Sequence, residues 1–261
     1  MDNITLPSPH RITQIVLETG TEHTFRVEWH GTPVKHGQFF MLSIPRFGEA
    51  PISVSAQGDG YVEFTIRKVG KLTDGLFGLY EDDVLFMRGP YGNAFPIDDF
   101  KGKHLIVISG GTGLAPVRST IQYFYDHPDE ILSVHTIHGF KDQAAVLFKD
   151  DLKKFSEAEK IDVNVYAPGF RRGLSGEFLP KIPFADWGDD YNIMIVGPPA
   201  MFRSAAQACL DFGAKEDRIW VSFERKMACA VGKCGHCKIN EHYVCVEGPV
   251  FNYTKGKELI D

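Results

Sequence analysis

Four of the five cysteines in this 261-residue chain lie between Cys229 and Cys245, as Cys229, Cys234, Cys237 and Cys245 in a C-x4-C-x2-C-x7-C arrangement. The first three spacings are the plant-type spacing for a [2Fe-2S] cluster, whose two irons need four converging thiolates. The loop between the first two ligands must wrap the cluster with backbone N–H groups facing sulfur, and Ala228, Ala230, Gly232 and Gly235 are small enough to allow it. Lys226, Lys233 and Lys238 add positive charge beside an anionic cluster, which favours its reduced form. Zinc is the alternative, since four cysteines also satisfy a tetrahedral ion, although zinc ribbons usually carry two C-x2-C knuckles and this chain has one. His236 and His242 are read as solvated histidines, and Cys209, set among Ala205, Ala206, Ala208 and Leu210, as a small buried hydrophobe. An odd, clustered cysteine count does not describe a disulfide framework and is more often a metal site in a reducing compartment.

Two glycine-rich turns could bind a nucleotide. "SGGTGLAPVRS" (Ser109–Ser119) follows an apolar run and opens a helix-like stretch, so its backbone can approach a pyrophosphate at a helix N-terminus. Glycines that merely shape a turn would look the same. "VGPPAMF" (Val196–Phe202) ends a later apolar run, where Gly197, Pro198 and Pro199 make a rigid turn at the carboxyl edge of a sheet, the edge at which open α/β sheets bind ligands.

These turns need elements to carry them. From His10 to about Pro90 short runs alternate apolar and polar residues between Gly, Pro, Asp and Asn turns, which predicts six antiparallel strands and a small closed barrel, with one short helix over Lys71–Leu79. From about Lys101 the pattern becomes strand–turn–helix: "HLIVIS" before a helix over Leu114–Tyr125, "ILSVHTIHG" before one over Ala144–Phe155, then "IDVNVYA", "YNIMIVG" before one over Ala200–Phe212, and "RIWVSF". Such alternation predicts right-handed βαβ units and a doubly wound parallel sheet. The expected division is 1–100 for the barrel, 101–223 for the α/β domain and 224–261 for the cluster region and tail. A net charge of -6 gives no general attraction to nucleic acid. The polar start, Met1 to His10, and the lack of any long apolar run lead us to expect a cytoplasmic protein without a membrane span.

The order barrel, "GGTGLAP", "VGPPAM" resembles the ferredoxin-NADP reductase superfamily, and the cysteine loop narrows the resemblance to flavoprotein subunits like that of dihydroorotate dehydrogenase. Within that group "GQFFMLSIP", "EAPISVS", "RGPYGN", "WVSFERKM", "GKCGHCKI" and "GPVFNY" are similar to the B subunits of anaerobic sulfite reductases, over nearly the whole chain. The resemblance implies FAD, with Pro51, Ile52 and Ser53 against the isoalloxazine, and Thr65, Ile66, Arg67, Gly70, Leu72 and Thr73 forming the second flavin segment. It implies that Gly110, Gly111, Thr112, Gly113, Ala115 and Pro116 cradle the pyrophosphate of NADH (or NADPH), with Gly197, Pro198, Pro199 and Met201 at the nicotinamide end. The superfamily's Arg-x-Tyr-Ser is here Ala50-Pro51-Ile52-Ser53, so the arginine that meets flavin phosphate is missing, and its role is assigned to Arg67. The implied activity is hydride uptake from the nicotinamide and one-electron delivery through the cluster, with no catalytic side chain. The implied partners are an iron–sulfur subunit and a sirohaem subunit that reduces sulfite to sulfide. The alternatives are the electron-transfer subunit of dihydroorotate dehydrogenase, with electrons running towards NAD⁺, and a non-catalytic, zinc-stapled nucleotide-binding module.

Overall fold

A computed structural model describes residues 5–259, so the first four residues of the polar start and the last two of the tail lie outside it. The chain divides into two compact units, one formed by 1–94 with 224–250 and the other by 95–223 with 251–261.

In the first unit seven strands form one antiparallel sheet: β1 (Ser8–Leu17), β2 (Glu22–Glu28), β3 (Phe39–Ile44), β4 (Gly48–Ser53), β5 (Ala56–Gly58), β6 (Tyr61–Arg67) and β7 (Val84–Tyr91). Their order is β4-β3-β7-β1-β2-β6-β5. Six of them are the strands the alternation predicts. The seventh, β5, is a three-residue hairpin partner of β6, too short to show a period. The sheet curls so that β4 meets β6 across the barrel. The period-two faces converge on one core that includes Ile12, Phe25, Phe40, Leu42, Phe64 and Met87, each fully buried. The helix runs Lys71–Leu76, shorter than Lys71–Leu79, with Leu72 and Leu76 packed into that core.

The second unit is built on β8 (His104–Gly110), β9 (Ser133–Gly139), β10 (Ile161–Tyr166), β11 (Tyr191–Val196) and β12 (Ile219–Ser222). The first five places of its sheet run β10-β9-β8-β11-β12 with parallel pairing throughout, and a last strand, Val250–Asn252, lies beside β12. The order reverses between β8 and β11, which makes the carboxyl ends of those two strands the switch point where such sheets bind ligands. All six residues of β11 are buried, as a central parallel strand covered on both faces requires. Helices Ala115–Asp126 and Pro199–Asp211 match their expected positions within a residue. The expected helix over Ala144–Phe155 splits into a short turn, Gln143–Ala145, capped by the Asp142 side chain, and a helix Lys149–Ser156, because Phe148 takes a left-handed backbone (φ 52°) between them. The helical turns between β10 and β11 bury Leu174, Phe178, Leu179 and Phe184. Glycines and prolines interrupt that stretch so often that it carries no helical period.

Candidate functional site

In the first unit the cysteine loop is held open by left-handed residues, Ala230 (φ 61°), Gly232 (φ 71°) and Gly235 (φ 79°), and a side chain at Gly232 would press on Val246. This geometry turns successive amides towards sulfur. Lys233 and Cys234 donate N–H to Cys229 Sγ at 3.3 and 3.4 Å, Gly232 to Cys245 Sγ at 3.3 Å, and Cys245 to Cys237 Sγ at 3.5 Å. Each of the four thiols is free, Cys237 and Cys245 buried and Cys234 exposed. The Cys234 N–H ties Cys234 to Cys229 Sγ, and the Cys245 N–H ties Cys245 to Cys237 Sγ, so the loop brings the four cysteines together through its amides. Among the described residues no three His, Cys, Asp or Glu side chains are gathered closely enough to hold a metal ion as they stand.

The sulfur environments differ. The backbone N–H of His236 and then Cys229 bring the Cys234 thiol down to about 7. At Cys229 burial opposes ionisation, but the N–H groups of Val231, Lys233 and Cys234 outweigh it and the thiol falls below its ordinary range. Burial, reinforced by the Cys237 thiol, pushes Cys245 up to about 12. Amide donors aimed at sulfur stabilise thiolate charge, which is what cluster ligands need.

The segments equated with flavin binding come together in the same unit. Pro51, Ile52 and Ser53 occupy β4, the edge strand, where a proline's missing N–H costs no ladder bond, and they pair with Met41, Phe40 and Phe39 of β3. Thr65 and Ile66 lie in β6, and the turn at Gly70 leads into the short helix. Several of these side chains serve the fold. The Thr65 hydroxyl is shared with Thr24 at 2.9 Å and Ser55 at 3.0 Å, Leu72 packs in the core, and Thr73 Oγ1 closes the turn by accepting from the Val69 and Gly70 amides at 2.8 and 2.9 Å. Arg67 is half-exposed and its Nε donates to Glu22, a carboxylate held below its ordinary range although burial opposes it, by Thr19, Arg67 and Thr21. Glu224, which opens the returning segment, lies close enough to Arg67 for its carboxyl, raised by desolvation, to feel that charge pulling it back.

Two residues that sequence reasoning did not single out join these parts. Arg88 of β7, 7% exposed, donates to Glu49 of β4 at 2.7 and 2.6 Å and to the carbonyls of Ala228 and Cys229 at 2.9 and 2.8 Å. Asn93 clips the far end of the loop: its amide donates to the Glu247 and Val250 carbonyls at 2.9 and 2.6 Å, and its Oδ1 accepts from the Val250 N–H at 3.0 Å. Both lie in "RGPYGN", which stood out as a token without a chemical role; an arginine and an asparagine flanking a glycine turn were the available signal.

In the second unit the two glycine turns meet. A Cβ on Gly110 would strike Met201 Sδ, one on Gly197 would come 2.7 Å from Met201 Cε, and one on Gly113 would strike the Val196 carbonyl. Gly110, Gly113 and Gly197 therefore owe their identity to the close packing of β8 against β11, and Met201 fills the space between the turns. Ala115 and Pro116 are buried in the first turn of their helix, which leaves Gly111 (φ 55°), Thr112, Pro198 and Pro199 as the more accessible members of the set. Beneath Gly110 and Gly139, Ser109 hydrogen-bonds to His138 Nδ1 at 2.8 Å, and His138 is fully buried.

A curled antiparallel barrel unit carrying a four-thiol loop, with a parallel nucleotide-type sheet in the second unit, is the fold of ferredoxin-NADP reductases. Residues 107–207 match the family model described as an oxidoreductase NAD-binding domain, and residues 224–255 the iron–sulfur cluster binding domain of dihydroorotate dehydrogenase B. The sulfhydrogenase 1 gamma subunit of Pyrococcus furiosus is 36% identical over 84% of this chain and 79% of its own. A probable dihydroorotate dehydrogenase B (NAD⁺) electron-transfer subunit of Methanocaldococcus jannaschii is 32% identical over 92% and 88%. The chain belongs to the family of these sulfhydrogenase gamma and dihydroorotate dehydrogenase electron-transfer subunits. The fold is shared with an NADH-dependent reduced ferredoxin-NADP oxidoreductase chain (21% identity, TM-score 0.74, 99% of this chain and 94% of that one). It is shared also with a ferredoxin-NADP⁺ reductase from Neisseria gonorrhoeae (20% identity, TM-score 0.68, 82% and 97%).

Proposed function

We propose that this chain is the electron-transfer flavoprotein subunit of an anaerobic sulfite reductase, oxidising NADH or NADPH with FAD and passing single electrons through a [2Fe-2S] cluster to partner subunits that form sulfide. One observation carries the redox reading: a single unit holds both the four-thiol loop and the β4, β6 and short-helix segments assigned to flavin. Flavin supplies the conversion from a two-electron hydride donor to a one-electron acceptor. The chain's task is to hold and orient. Pro51, Ile52 and Ser53 line the isoalloxazine side, Thr65, Ile66, Gly70, Leu72 and Thr73 shape the remainder, and Arg67, steered by Glu22, is the cation for the flavin phosphate. Gly110, Gly111, Thr112, Gly113, Ala115 and Pro116 form the pyrophosphate cradle, and Gly197, Pro198, Pro199 and Met201 the nicotinamide end. Cys229, Cys234, Cys237 and Cys245 ligate the irons, and no side chain is needed as acid, base or nucleophile.

In this reading 1–100 is the FAD barrel, 101–223 the NAD(P) domain and 224–261 the cluster region and tail. No helix among the described residues is long and apolar enough to cross a membrane. Free thiols suit a reducing compartment, and we place the protein in the cytoplasm, in a hetero-oligomer with an iron–sulfur subunit and a sirohaem subunit. The tokens "EAPISVS", "ERKM" and "GKCGHCK" support sulfite reduction. The match of 224–255 to the dihydroorotate dehydrogenase B domain favours a second reading, an electron-transfer subunit working towards NAD⁺. Purification of the native complex separates them. Sulfide formation from sulfite and NADH is the expected result; NADH formation from dihydroorotate selects the second reading.

A further inference from the structure

A guanidinium has five N–H donors in a fixed fork, and Arg88 places all of them. Nε and Nη2 meet the Glu49 carboxylate at 2.7 and 2.6 Å, Nη2 also reaches the Ala228 carbonyl at 2.9 Å, and Nη1 reaches the Cys229 carbonyl at 2.8 Å and the Tyr91 hydroxyl at 3.2 Å. Glu49 directly precedes the Ala50–Ser53 stretch on β4, and Cys229 is the first thiol of the loop. One buried side chain thus ties the main chain of the first ligand to the strand assigned to flavin. Lysine could not reproduce this, having one nitrogen where the fork has three.

We propose that Arg88 and Glu49 form a charge-balanced tether that positions the first-ligand end of the cysteine loop and sets the reduction potential of the cluster held there. The inference rests on the reading of the four thiols as cluster ligands. A cluster on four thiolates is anionic and gains further negative charge on reduction, so a fixed cation beside the first ligand favours the reduced form and a fixed anion disfavours it. Arg88 is the cation and Glu49 the anion that offsets it. Because the pair is nearly neutral as a unit, removing either member exposes the charge of the other. Arg88→Met leaves Glu49 unopposed. Glu49→Gln keeps an oxygen to accept from Arg88, and leaves the carbonyl anchors in place, but frees the guanidinium charge.

The test is a potentiometric titration of the FAD-reconstituted protein followed by electron paramagnetic resonance of the reduced cluster. Arg88→Met should lower the cluster potential and Glu49→Gln should raise it, each by a change on the order of tenfold in the electron equilibrium, about 59 mV for a one-electron couple. Where Arg88→Met does not retain its cluster, Glu49→Gln and Arg88→Lys carry the test. The lysine should hold the potential within a few-fold of the unmodified equilibrium while broadening the resonance lines, since charge is kept and the two-carbonyl anchor lost. Shifts of the same sign in the opposed variants, or no shift in Glu49→Gln, overturn the tether alone when the unmodified protein carries a normal cluster. Absence of a reducible cluster from the unmodified protein overturns the reading beneath it, and the tether with it.

Discussion

His138 shows how a buried side chain couples the nucleotide unit to pH. It is wholly buried, with Ser109 on Nδ1 and no partner for Nε2 among the described residues, and burial pushes its pKa down to about 3. The unfolded histidine titrates near its ordinary value of 6.5. Between those two values the unfolded chain binds the extra proton, so stability contributed by neutral His138 is present above about 6.5 and is lost as the pH falls towards 3. A His138→Gln variant, which keeps a side chain able to bond Ser109, should lose that part of the pH slope, roughly 1.4 kcal/mol per pH unit across most of the window. Chemical denaturation of both proteins at several pH values measures it, and an unchanged slope contradicts the account. Crowding sets the outcome at Gly113, where an added Cβ meets the Val196 carbonyl, an atom of the backbone. Gly113→Ala should destabilise the second unit by about 1–3 kcal/mol and weaken NADH binding. Gly110→Ala clashes with the Met201 sulfur, with Pro198 at ordinary contact distance, so adding Met201→Ala should recover most of what Gly110→Ala loses. Thermal melts and NADH titrations of the single and double variants read both effects.

At the level of elements, much of this was legible because period and punctuation agreed with packing. β2 and β6 alternate and pair in unbroken register from Glu22↔Arg67 to Glu28↔Tyr61, and "HLIVIS" is the continuous apolar run of a strand covered on both faces. Sequence was silent where a short element has no period, as at β5, and where a left-handed residue breaks an otherwise helical stretch, as at Phe148. The thiols were legible in type and spacing, but the amides on their sulfurs depend on left-handed Ala230 and Gly232, and a non-glycine residue with that backbone carries little sequence signal. The partners of Arg88, Glu49 and Asn93 were out of reach for a different reason, although Arg88 and Asn93 flank a glycine turn that marked them. Those partners lie far along the chain, and only the fold brings β4, β7 and the loop together. Asn93→Ala should therefore leave the loop's last hydrogen bonds unmade, at a cost of about 1–3 kcal/mol. Amide exchange should quicken around Val250 and Glu247 and stay unchanged in β8 and β11; uniform quickening would mean that Asn93 supports the whole fold and not the clip.

For the molecule as a whole, the first unit is assembled from two stretches distant in sequence, 1–94 and 224–250, so the loop that carries the four thiols packs with the barrel strands. Metal binding is folding energy when the site exists only in the folded state. On the proposed reading, removing the irons with a chelator should lower the melting temperature, and a melting curve unchanged by the chelator would contradict it. The claim on which function depends is that Cys229, Cys234, Cys237 and Cys245 hold a redox-active iron pair in the unit that also holds flavin. Anaerobic NADH titration of the purified protein, followed by absorbance and electron paramagnetic resonance in parallel with a Cys234→Ser variant, tests it most directly. The account predicts flavin bleaching together with a reduced-cluster resonance in the unmodified protein, and flavin bleaching with that resonance abolished in the variant. A variant that still gives the same reducible cluster, or an unmodified protein that holds zinc and no flavin, would contradict it.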